Sequence, residues 1–239
     1  MLQAVIFDVD GTIVDSVDLH AEAWQVSFEK FGKTTPFHEV RRQIGKGSDQ
    51  LLPVFFSKQE LAGFGEELDE YRGGLFKKDY LPRVQAFPKV RELFQRIKND
   101  GKQIVLASSA KADELEAYKK IAQIDDLIES ETSSDDADRS KPYPDIFQAA
   151  LARLKGVAPE NAIVIGDTPY DAQAASKANL KTIGLLCGGW TKEELRNAGC
   201  VAIYRDAEDL LLNYDTHHLD FPTRERSDGK RLMDDSAKP

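Results

Sequence analysis

The chain of 239 residues is long enough to bury a full hydrophobic core, and its 41% apolar and 31% charged residues are ordinary for a globular protein. The formal net charge of −9 argues against nucleic acid or an anionic membrane as a partner, because phosphate groups are attracted to basic surfaces. Two cysteines, Cys187 and Cys200, are too few for a disulfide framework or a structural zinc site. No apolar run approaches the ~20 residues of a membrane span, and no cationic segment precedes the first apolar run. We therefore expect a cytoplasmic protein.

Short apolar runs rich in β-branched residues alternate with helical patterns along most of the chain. This alternation predicts an α/β fold, in which a Rossmann-like parallel sheet carries helices on both faces. In sheets of this kind, functional side chains gather at the carboxyl ends of the strands. The predicted strands are 3–7, 103–107, 162–165, 181–185 and 201–204, and the predicted helices are 89–100, 111–121, 144–155, 170–178, 191–198 and 206–214.

Residues 15–85 interrupt the alternation, because they contain helical patterns but no convincing buried strand. We therefore expect a helical cap domain inserted after the first strand, with residues 1–14 and 86–215 forming the α/β core. The helical patterns of the cap cover 20–31, 50–56 and 60–76. Residues 216–239 are polar and lack an apolar period, which indicates a mobile tail.

Two acidic residues, Asp8 and Asp10, directly follow the first predicted strand in the sequence DVDGT. Two carboxylates one residue apart are costly to hold together unless a cation draws charge from both of them. A simple turn with Asp10-Gly11 at its tip accounts for the same residues. On this motif alone, the metal-binding interpretation and the turn interpretation are equally good.

A second acidic pair, Asp167 and Asp171, follows the predicted strand 162–165 in the sequence GDTPYD. Either Asp167 or Thr168 could cap a helix that begins at Pro169. That interpretation leaves Asp171 unexplained, although the helix would bring it near Asp167. Two acidic strand ends in one sheet indicate a site for a hard cation, and Mg²⁺ fits best because it prefers oxygen ligands.

Two further signals are a serine pair and a lysine. Ser108 and Ser109 follow the predicted strand 103–107, at a position where a serine is most often a helix cap. Lys141 precedes Pro142 in a proline-rich turn that leads into the next helix. A lone lysine in such a turn is usually a solvated surface charge. Each of these signals is weak by itself.

Taken in order, the DVDGT motif, the strand-end Ser108, the Lys141-Pro142 pair and the GDTPYD motif resemble the four-motif signature of the haloacid dehalogenase superfamily. The sequence DGTIVDS at 10–16 resembles the helical-cap branch of phosphoglycolate phosphatases, β-phosphoglucomutases and sugar phosphatases. The resemblance extends over about residues 3–214. It implies Mg²⁺-dependent hydrolysis of a small phosphorylated metabolite, of the phosphoglycolate or sugar-phosphate type, by a monomer or homodimer.

The resemblance also implies roles by motif position. Asp8 resembles the nucleophile that forms an aspartyl-phosphate, and Asp10 resembles the general acid and base. Ser108 would bind the transferring phosphoryl group, and Lys141 would neutralise its charge. Because Asp8 is negatively charged, we expect it to raise the pKa of Asp10 and so favour its acid form. The implied metal ligands are Asp8, Asp10 through its main-chain carbonyl, Asp167 and Asp171.

Four residues are candidate substrate contacts: His20, Lys46, Ser109 and Lys111. His20 resembles a histidine of β-phosphoglucomutases that governs the position of Asp10, although a lone helical histidine is more often structural. Lys111 resembles a substrate-contacting lysine of the same enzymes. The cap offers only Lys46 and Ser48 where those mutases hold a second phosphate with an arginine, so hydrolysis is favoured over phosphomutase activity. A non-catalytic protein on this fold is a third alternative, which the intact motifs argue against.

Overall fold

A computed structural model describes residues 1–217, and most of the tail expected at 216–239 lies outside the described residues. The strands are β1 (Ala4–Phe7), β2 (Val14–Asp15), β3 (Gln85–Ala86), β4 (Gln103–Ala107), β5 (Ser130–Thr132), β6 (Ala162–Gly166), β7 (Lys181–Leu185) and β8 (Ala202–Tyr204). The α-helices are α1 (Val17–Lys30), α2 (Phe37–Arg41), α3 (Ser48–Phe55), α4 (Lys58–Leu75), α5 (Val90–Asn99), α6 (Ala112–Ala122), α7 (Asp145–Arg153), α8 (Pro169–Lys177), α9 (Lys192–Asn197), α10 (Ala207–Leu212) and α11 (Tyr214–His217). Within residues 1–217, no helix combines the length and the apolar character needed to cross a membrane.

Six parallel strands form the main sheet in the order β5-β4-β1-β6-β7-β8. Phe7, the last residue of the central strand β1, pairs in register with Leu106 of β4 and Ile165 of β6. The three strands therefore end at nearly the same level, and the residues that follow them emerge at one edge of the sheet. The predicted Rossmann-like parallel sheet is confirmed.

Helices cover both faces of this sheet, because successive strand residues point to opposite sides. On one face, Val5 and Phe7 belong to an apolar core with α5, α6 and α10. On the other face, Ala4 and Ile6 pack with α7 and α8. All four residues of β1 are therefore buried, which explains why its sequence is apolar throughout rather than at every second position.

The segment between β2 and β3 is helical and has an apolar cluster of its own, which includes Trp24, Phe28 and Leu68. β2 and β3 pair antiparallel, so the two ends of the helical segment lie side by side. These features agree with a helical insertion after the first strand. The division into a cap domain at 15–85 and a core domain stays a prediction.

Three features are not predicted by the sequence patterns. β5 has the polar sequence SET and forms at the edge of the sheet through its pairing with β4, so it carries no apolar run. α2 has five residues, of which one is buried, and is too short to show a helical period. β2 and β3, at the borders of the helical segment, have two residues each.

Phe94 of α5 offers a test of the core between the helices and the sheet. Its side chain is fully buried, and its ring centroid lies 4.4 Å from that of Phe7. We expect Phe94→Ala to lower the free energy of unfolding by about 3–5 kcal/mol, because the deletion leaves a cavity. Val26→Ala, at a position that is 39% exposed, is the control and should change it by less than about 0.5 kcal/mol. Urea unfolding measures both, and similar losses would contradict this core.

Candidate active site

The ends of three neighbouring strands bring Asp8, Ser108 and Asp167 to one edge of the sheet. Asp8 follows β1, Ser108 follows β4 and Asp167 follows β6 in the chain. All three side chains are buried. The sheet ladder continues through the first two: the backbone N–H of Asp8 donates to Ile165 at 2.9 Å, and that of Ser108 donates to Thr132 at 3.0 Å. Their positions are therefore fixed by the sheet itself.

Lys141 is buried beside these strand ends, so the interpretation as a solvated surface charge is wrong. Its Nζ donates a hydrogen bond to Asp8 Oδ1 and lies 2.7 Å from Asp171 Oδ1. Although burial lowers the pKa of Lys141, the carboxylates of Asp171 and Asp8 raise it above its ordinary value. The ammonium group therefore stays charged between two carboxylates.

Asp171 has two functions in the structure. Thr168 is the N-cap of α8: its hydroxyl accepts a hydrogen bond from the Asp171 N–H at 3.2 Å, and Asp171 Oδ2 accepts one from the Thr168 N–H at 3.0 Å. This reciprocal capping box confirms the cap interpretation of Thr168 and explains an acid at this spacing. The other carboxylate oxygen of Asp171 contacts Lys141, so the same side chain also belongs to the charged cluster.

Asp8, Asp167 and Asp171 each present a carboxylate oxygen, and these atoms lie within 4.8 Å of one another. Burial and the Asp171 carboxylate raise the pKa of Asp8 to about 7, against the opposing effect of Lys141. Burial and the Asp8 carboxylate likewise raise the pKa of Asp167. Three buried acids facing one lysine carry an excess of negative charge, which a divalent cation would neutralise.

The Asp10 carboxylate lies outside this group of acids. Its Oδ1 accepts a hydrogen bond from Ser16 Oγ at 2.6 Å and lies 2.9 Å from His20 Nε2. Burial raises the pKa of Asp10, but the charge and hydrogen bond of His20 and the hydrogen bond of Ser16 outweigh burial and lower it below its ordinary value. The expectation that Asp8 raises the pKa of Asp10 is therefore wrong for this arrangement, because His20 dominates the surroundings of Asp10.

His20 joins the helical segment to the rest of the chain. It is buried on α1, its ring stacks on Phe76 with centroids 3.9 Å apart, and its Nε2 lies 3.0 Å from the Tyr118 hydroxyl of α6. His20 thus contacts both Asp10 and α6, a helix that packs on the main sheet. No motif pointed to Tyr118, because the apolar period of its helix is enough to explain a buried aromatic residue.

Two adjoining cavities lie above the strand ends. The smaller has a volume of about 40 Å³ and is bordered by Asp8 and Asp10. The larger has a volume of about 230 Å³ and is bordered by Ser108 and Lys111. Both cavities are bordered by Lys46, Arg72 and Ser109. The four candidate substrate contacts named from the sequence therefore all face one of these spaces, His20 facing the smaller.

The polar groups that face the cavities differ in how they are bonded. Lys46 Nζ donates to Gln43 Oε1 at 2.6 Å, and burial lowers the pKa of this lysine. Ser108 Oγ accepts a hydrogen bond from the Ala110 N–H at 3.0 Å. Ser109 Oγ is buried and has no hydrogen-bond partner within residues 1–217. Since Lys111 precedes α6 as its N-cap residue, the helix-cap interpretation of Ser109 is wrong.

Besides Tyr118, two further features of the site were missed by sequence reasoning. Arg72 of α4 borders both cavities, so the expectation that the cap offers only Lys46 and Ser48 there is wrong. Arg72 belongs to no motif, which is why its place could not be foreseen. Gly188, in a turn after β7, lies against Asp167, and its carbonyl accepts a hydrogen bond from Arg41 Nη1 at 3.1 Å. In the sequence, the pair Gly188-Gly189 was the only signal that this turn lies near the site.

Comparison with known proteins agrees with this geometry. Residues 5–185 match the family model of haloacid dehalogenase-like hydrolases. The chain is 28% identical over 216 residues to the phosphorylated carbohydrates phosphatase of Thermotoga maritima, an alignment that covers 87% of this chain and 97% of the relative. A hydrolase from Pseudomonas syringae has a similar structure, with a TM-score of 0.78 at 27% identity, covering 90% of this chain and 98% of that chain.

A further relative is a much longer protein. The chain is 30% identical over 219 residues to SUPPRESSOR OF QUENCHING 1, a chloroplastic protein of Arabidopsis thaliana. The alignment covers 89% of this chain but spans only 20% of that relative. The match to the family model, by contrast, runs from β1 to the end of β7 and includes all four motifs. The chain thus belongs to the haloacid dehalogenase-like hydrolase family and is an enzyme of the phosphatase type.

Proposed function

We propose that the chain hydrolyses small phosphate monoesters, with the Asp8 carboxylate as nucleophile and Mg²⁺ as cofactor. The observation that carries this proposal is the position of Asp8, held between Lys141 and two further buried acids at the border of a cavity. A carboxylate attacks a phosphate dianion poorly, because both are negatively charged. A site for this reaction must therefore place positive charge beside the nucleophile, as Lys141 does here.

In the first step, an Asp8 oxygen attacks phosphorus, the bond to the leaving oxygen breaks, and an aspartyl-phosphate forms. Lys141 neutralises part of the charge on the phosphoryl oxygens, because its Nζ already contacts Asp8. The Ser108 hydroxyl accepts from the Ala110 N–H, so its own hydrogen is available to donate to a phosphoryl oxygen. Lys141 and Ser108 thus bind the phosphoryl group during its transfer rather than the leaving group.

Asp10 serves as the acid of the first step and the base of the second. Hydrogen bonds from Ser16 and His20 favour its carboxylate, which is the form that activates water against the aspartyl-phosphate. To protonate the leaving oxygen, Asp10 must first gain a proton. The charge of a bound phosphate dianion favours this by raising the pKa of the neighbouring carboxyl group.

The residues present fit a divalent cation. Asp167 Oδ2 is buried and, in the described part of the chain, has no hydrogen-bond partner. Asp8, Asp167 and the Asp10 carbonyl would hold the ion, with Asp171 as a further ligand or the anchor of a bound water. Carboxylate oxygens are the ligands that Mg²⁺ prefers. Bound there, the ion would supply positive charge to the phosphoryl oxygens.

The relative from Thermotoga maritima supports a small phosphorylated metabolite as substrate, since its name describes a phosphatase of phosphorylated carbohydrates. Phosphoglycolate or a sugar phosphate would fit the same chemistry. Arg72 keeps phosphomutase activity as a second candidate, because a guanidinium group suits a second phosphate. Hydrolysis is favoured because Glu114 lies 3.8 Å from Arg72 and already offsets its charge.

Replacing the nucleophile tests the proposal. Asp8→Asn should lower the release of inorganic phosphate by roughly three orders of magnitude or more, because the amide keeps the shape but not the nucleophilic oxygen. The assay uses a panel of monophosphates with Mg²⁺ and without any bisphosphate activator. Asp126→Asn, in an exposed ion pair with Arg91, is the control and should retain wild-type turnover. Substantial activity of the Asp8 variant would remove Asp8 from the mechanism, and isomerisation faster than phosphate release would favour a phosphomutase.

The cofactor assignment predicts that Mg²⁺ is required and that Ca²⁺ inhibits. Ca²⁺ takes six to eight oxygen ligands at longer distances than Mg²⁺, so it would engage both oxygens of Asp8 and hold back the attacking one. Phosphate release should cease in excess chelator and return when Mg²⁺ is added. Full turnover in chelator, or equal turnover with either ion, would contradict the assignment.

Gly188 provides a separate test of Asp167 as a metal ligand. A Cβ atom at Gly188 would lie 1.7 Å from Asp167 Oδ2, so alanine must displace either the turn or the carboxylate. We expect Gly188→Ala to raise the Mg²⁺ concentration for half-maximal activity at least about tenfold, as expected when the group that supports a ligand is disturbed. Gly63→Ala in α4, where no atom lies within 4 Å of the added Cβ, is the control and should not shift it. An unchanged Mg²⁺ titration of the Gly188 variant would argue against Asp167 as a ligand.

A further inference from the structure

Two helices present opposite charges to each other beside the two cavities, with Asp69 and Lys111 at the larger and Glu114 at the smaller. α4 carries Asp69 and Arg72, three residues apart and so on one side of the helix, and Glu114 of α6 lies three residues after the N-cap residue Lys111. Lys111 Nζ lies 3.6 Å from Asp69 Oδ2, and Arg72 Nη1 lies 3.8 Å from Glu114 Oε1. Both separations exceed the length of a hydrogen bond, about 2.7–3.2 Å. The charges therefore attract each other without being bonded.

Arg72 and Ser109 have buried polar atoms that form no hydrogen bond within residues 1–217. Arg72 is 15% exposed, and its Nε and Nη1 are buried without a hydrogen-bond partner among residues 1–217. The Arg72 guanidinium lies over the Trp24 ring, 4.7 Å from its centroid, in a cation–π contact. Ser109 Oγ is also buried and unbonded in this part of the chain, and both residues border the two cavities. Buried donors without acceptors are unfavourable, so this junction is suited to a polar ligand.

The charges around the larger cavity determine which polar ligand fits. Its charged border consists of three cations and three acids: Lys46, Arg72 and Lys111 against Asp49, Asp69 and Asp138. Glu114 adds a further carboxylate beside Arg72. A carboxylate or second phosphate entering here would face acids that already offset the cations, and like charges repel. A hydroxyl group, by contrast, accepts from a cation and donates to a carboxylate at the same time.

We infer that the leaving group of the substrate is a neutral polyol, a sugar or sugar alcohol, whose hydroxyls bond between Asp69 and Lys111 and between Arg72 and Glu114. This inference rests on the proposed function, because it takes Asp8 to mark the phosphate end of the substrate. The cavity of about 230 Å³ is several times the ~30 Å³ of one water in the liquid, so it has room for a leaving group of several carbons. Phosphoglycolate, with its carboxylate, would be a poor substrate.

A matched pair of esters tests the inference. Sorbitol 6-phosphate and 6-phosphogluconate have the same number of carbons and the same phosphate, but only the second carries a carboxylate at the far end. For the wild-type protein, kcat/KM should be at least about tenfold higher for sorbitol 6-phosphate, which corresponds to about 1.4 kcal/mol. Equal values, or a preference for 6-phosphogluconate, would overturn the inference.

Variants assign the selectivity to the charge pairs. Asp69→Asn with Glu114→Gln leaves Lys111 and Arg72 without their carboxylates, so the preference for sorbitol 6-phosphate should fall at least about tenfold or reverse. Asp69→Asn alone, at a side chain that is 23% exposed, should show a smaller shift in the same direction if the double variant does not fold. Asp113→Asn is the matched control, because Asp113 pairs with the exposed Lys77 away from the cavity; it should keep the wild-type selectivity. Unchanged selectivity in the Asp69 and double variants would overturn the inference.

The two proposals fail in different ways. If the protein hydrolyses esters but does not prefer the neutral one, only the polyol inference is wrong. If the wild-type protein releases phosphate from no ester, the proposed function is wrong. In that case, calorimetric binding of the same two esters to the wild-type protein still decides whether the cavity selects the neutral one: tighter binding of sorbitol 6-phosphate supports the inference, and equal or weaker binding overturns it.

Discussion

The site is organised around one buried ammonium group that two buried carboxylates share. Lys141 contacts Asp8 at the end of β1 and Asp171 at the start of α8, and its Nζ also lies 3.4 Å from the Ala107 carbonyl at the end of β4. A charge of either sign buried alone would be very costly, so each group depends on the others to remain charged away from water. The interaction therefore ties together three separate elements, at the edge where the sheet ends.

The single positive charge of Lys141 does not neutralise the carboxylates at this edge of the main sheet. Asp167 is a third buried acid, and the Thr12 hydroxyl, 2.9 Å from Asp167 Oδ1 and 3.2 Å from Asp8 Oδ2, can donate its hydrogen to only one of them at a time. Burial, together with this excess of negative charge, raises the pKa values of Asp8 and Asp167. The protein thus holds its acids in an unfavourable arrangement that a cation would relieve, which is the condition expected of a metal site rather than of a structural cluster.

The strands and their ends were predictable because their signals are local. The apolar runs at β4 and β7 have the predicted bounds, and the acids and serines that follow the strands reach the same edge because parallel strands end together. β5 was not predictable, since its three polar residues become a strand only by pairing with β4. The pKa of Asp10 was misjudged because His20, which controls it, lies ten residues further along the chain and is brought to the Asp10 carboxylate only when α1 forms. Arg72 likewise comes to border the two cavities only when α4 packs in the folded chain.

The charge pairs between α4 and the start of α6 link substrate selectivity to the contact between two parts of the chain. Asp69 and Arg72 belong to the helical segment between β2 and β3, whereas Glu114 belongs to α6, which packs on the main sheet, and Lys111 is the N-cap residue of that helix. A hydroxyl bonded between Arg72 and Glu114 would therefore join the two parts of the chain directly above Asp8. An ester without that hydroxyl would contact only the strand ends and leave the buried guanidinium unsatisfied. Discrimination among phosphate esters would then arise in the gap between the two helices, although the chemistry takes place at the edge of the sheet.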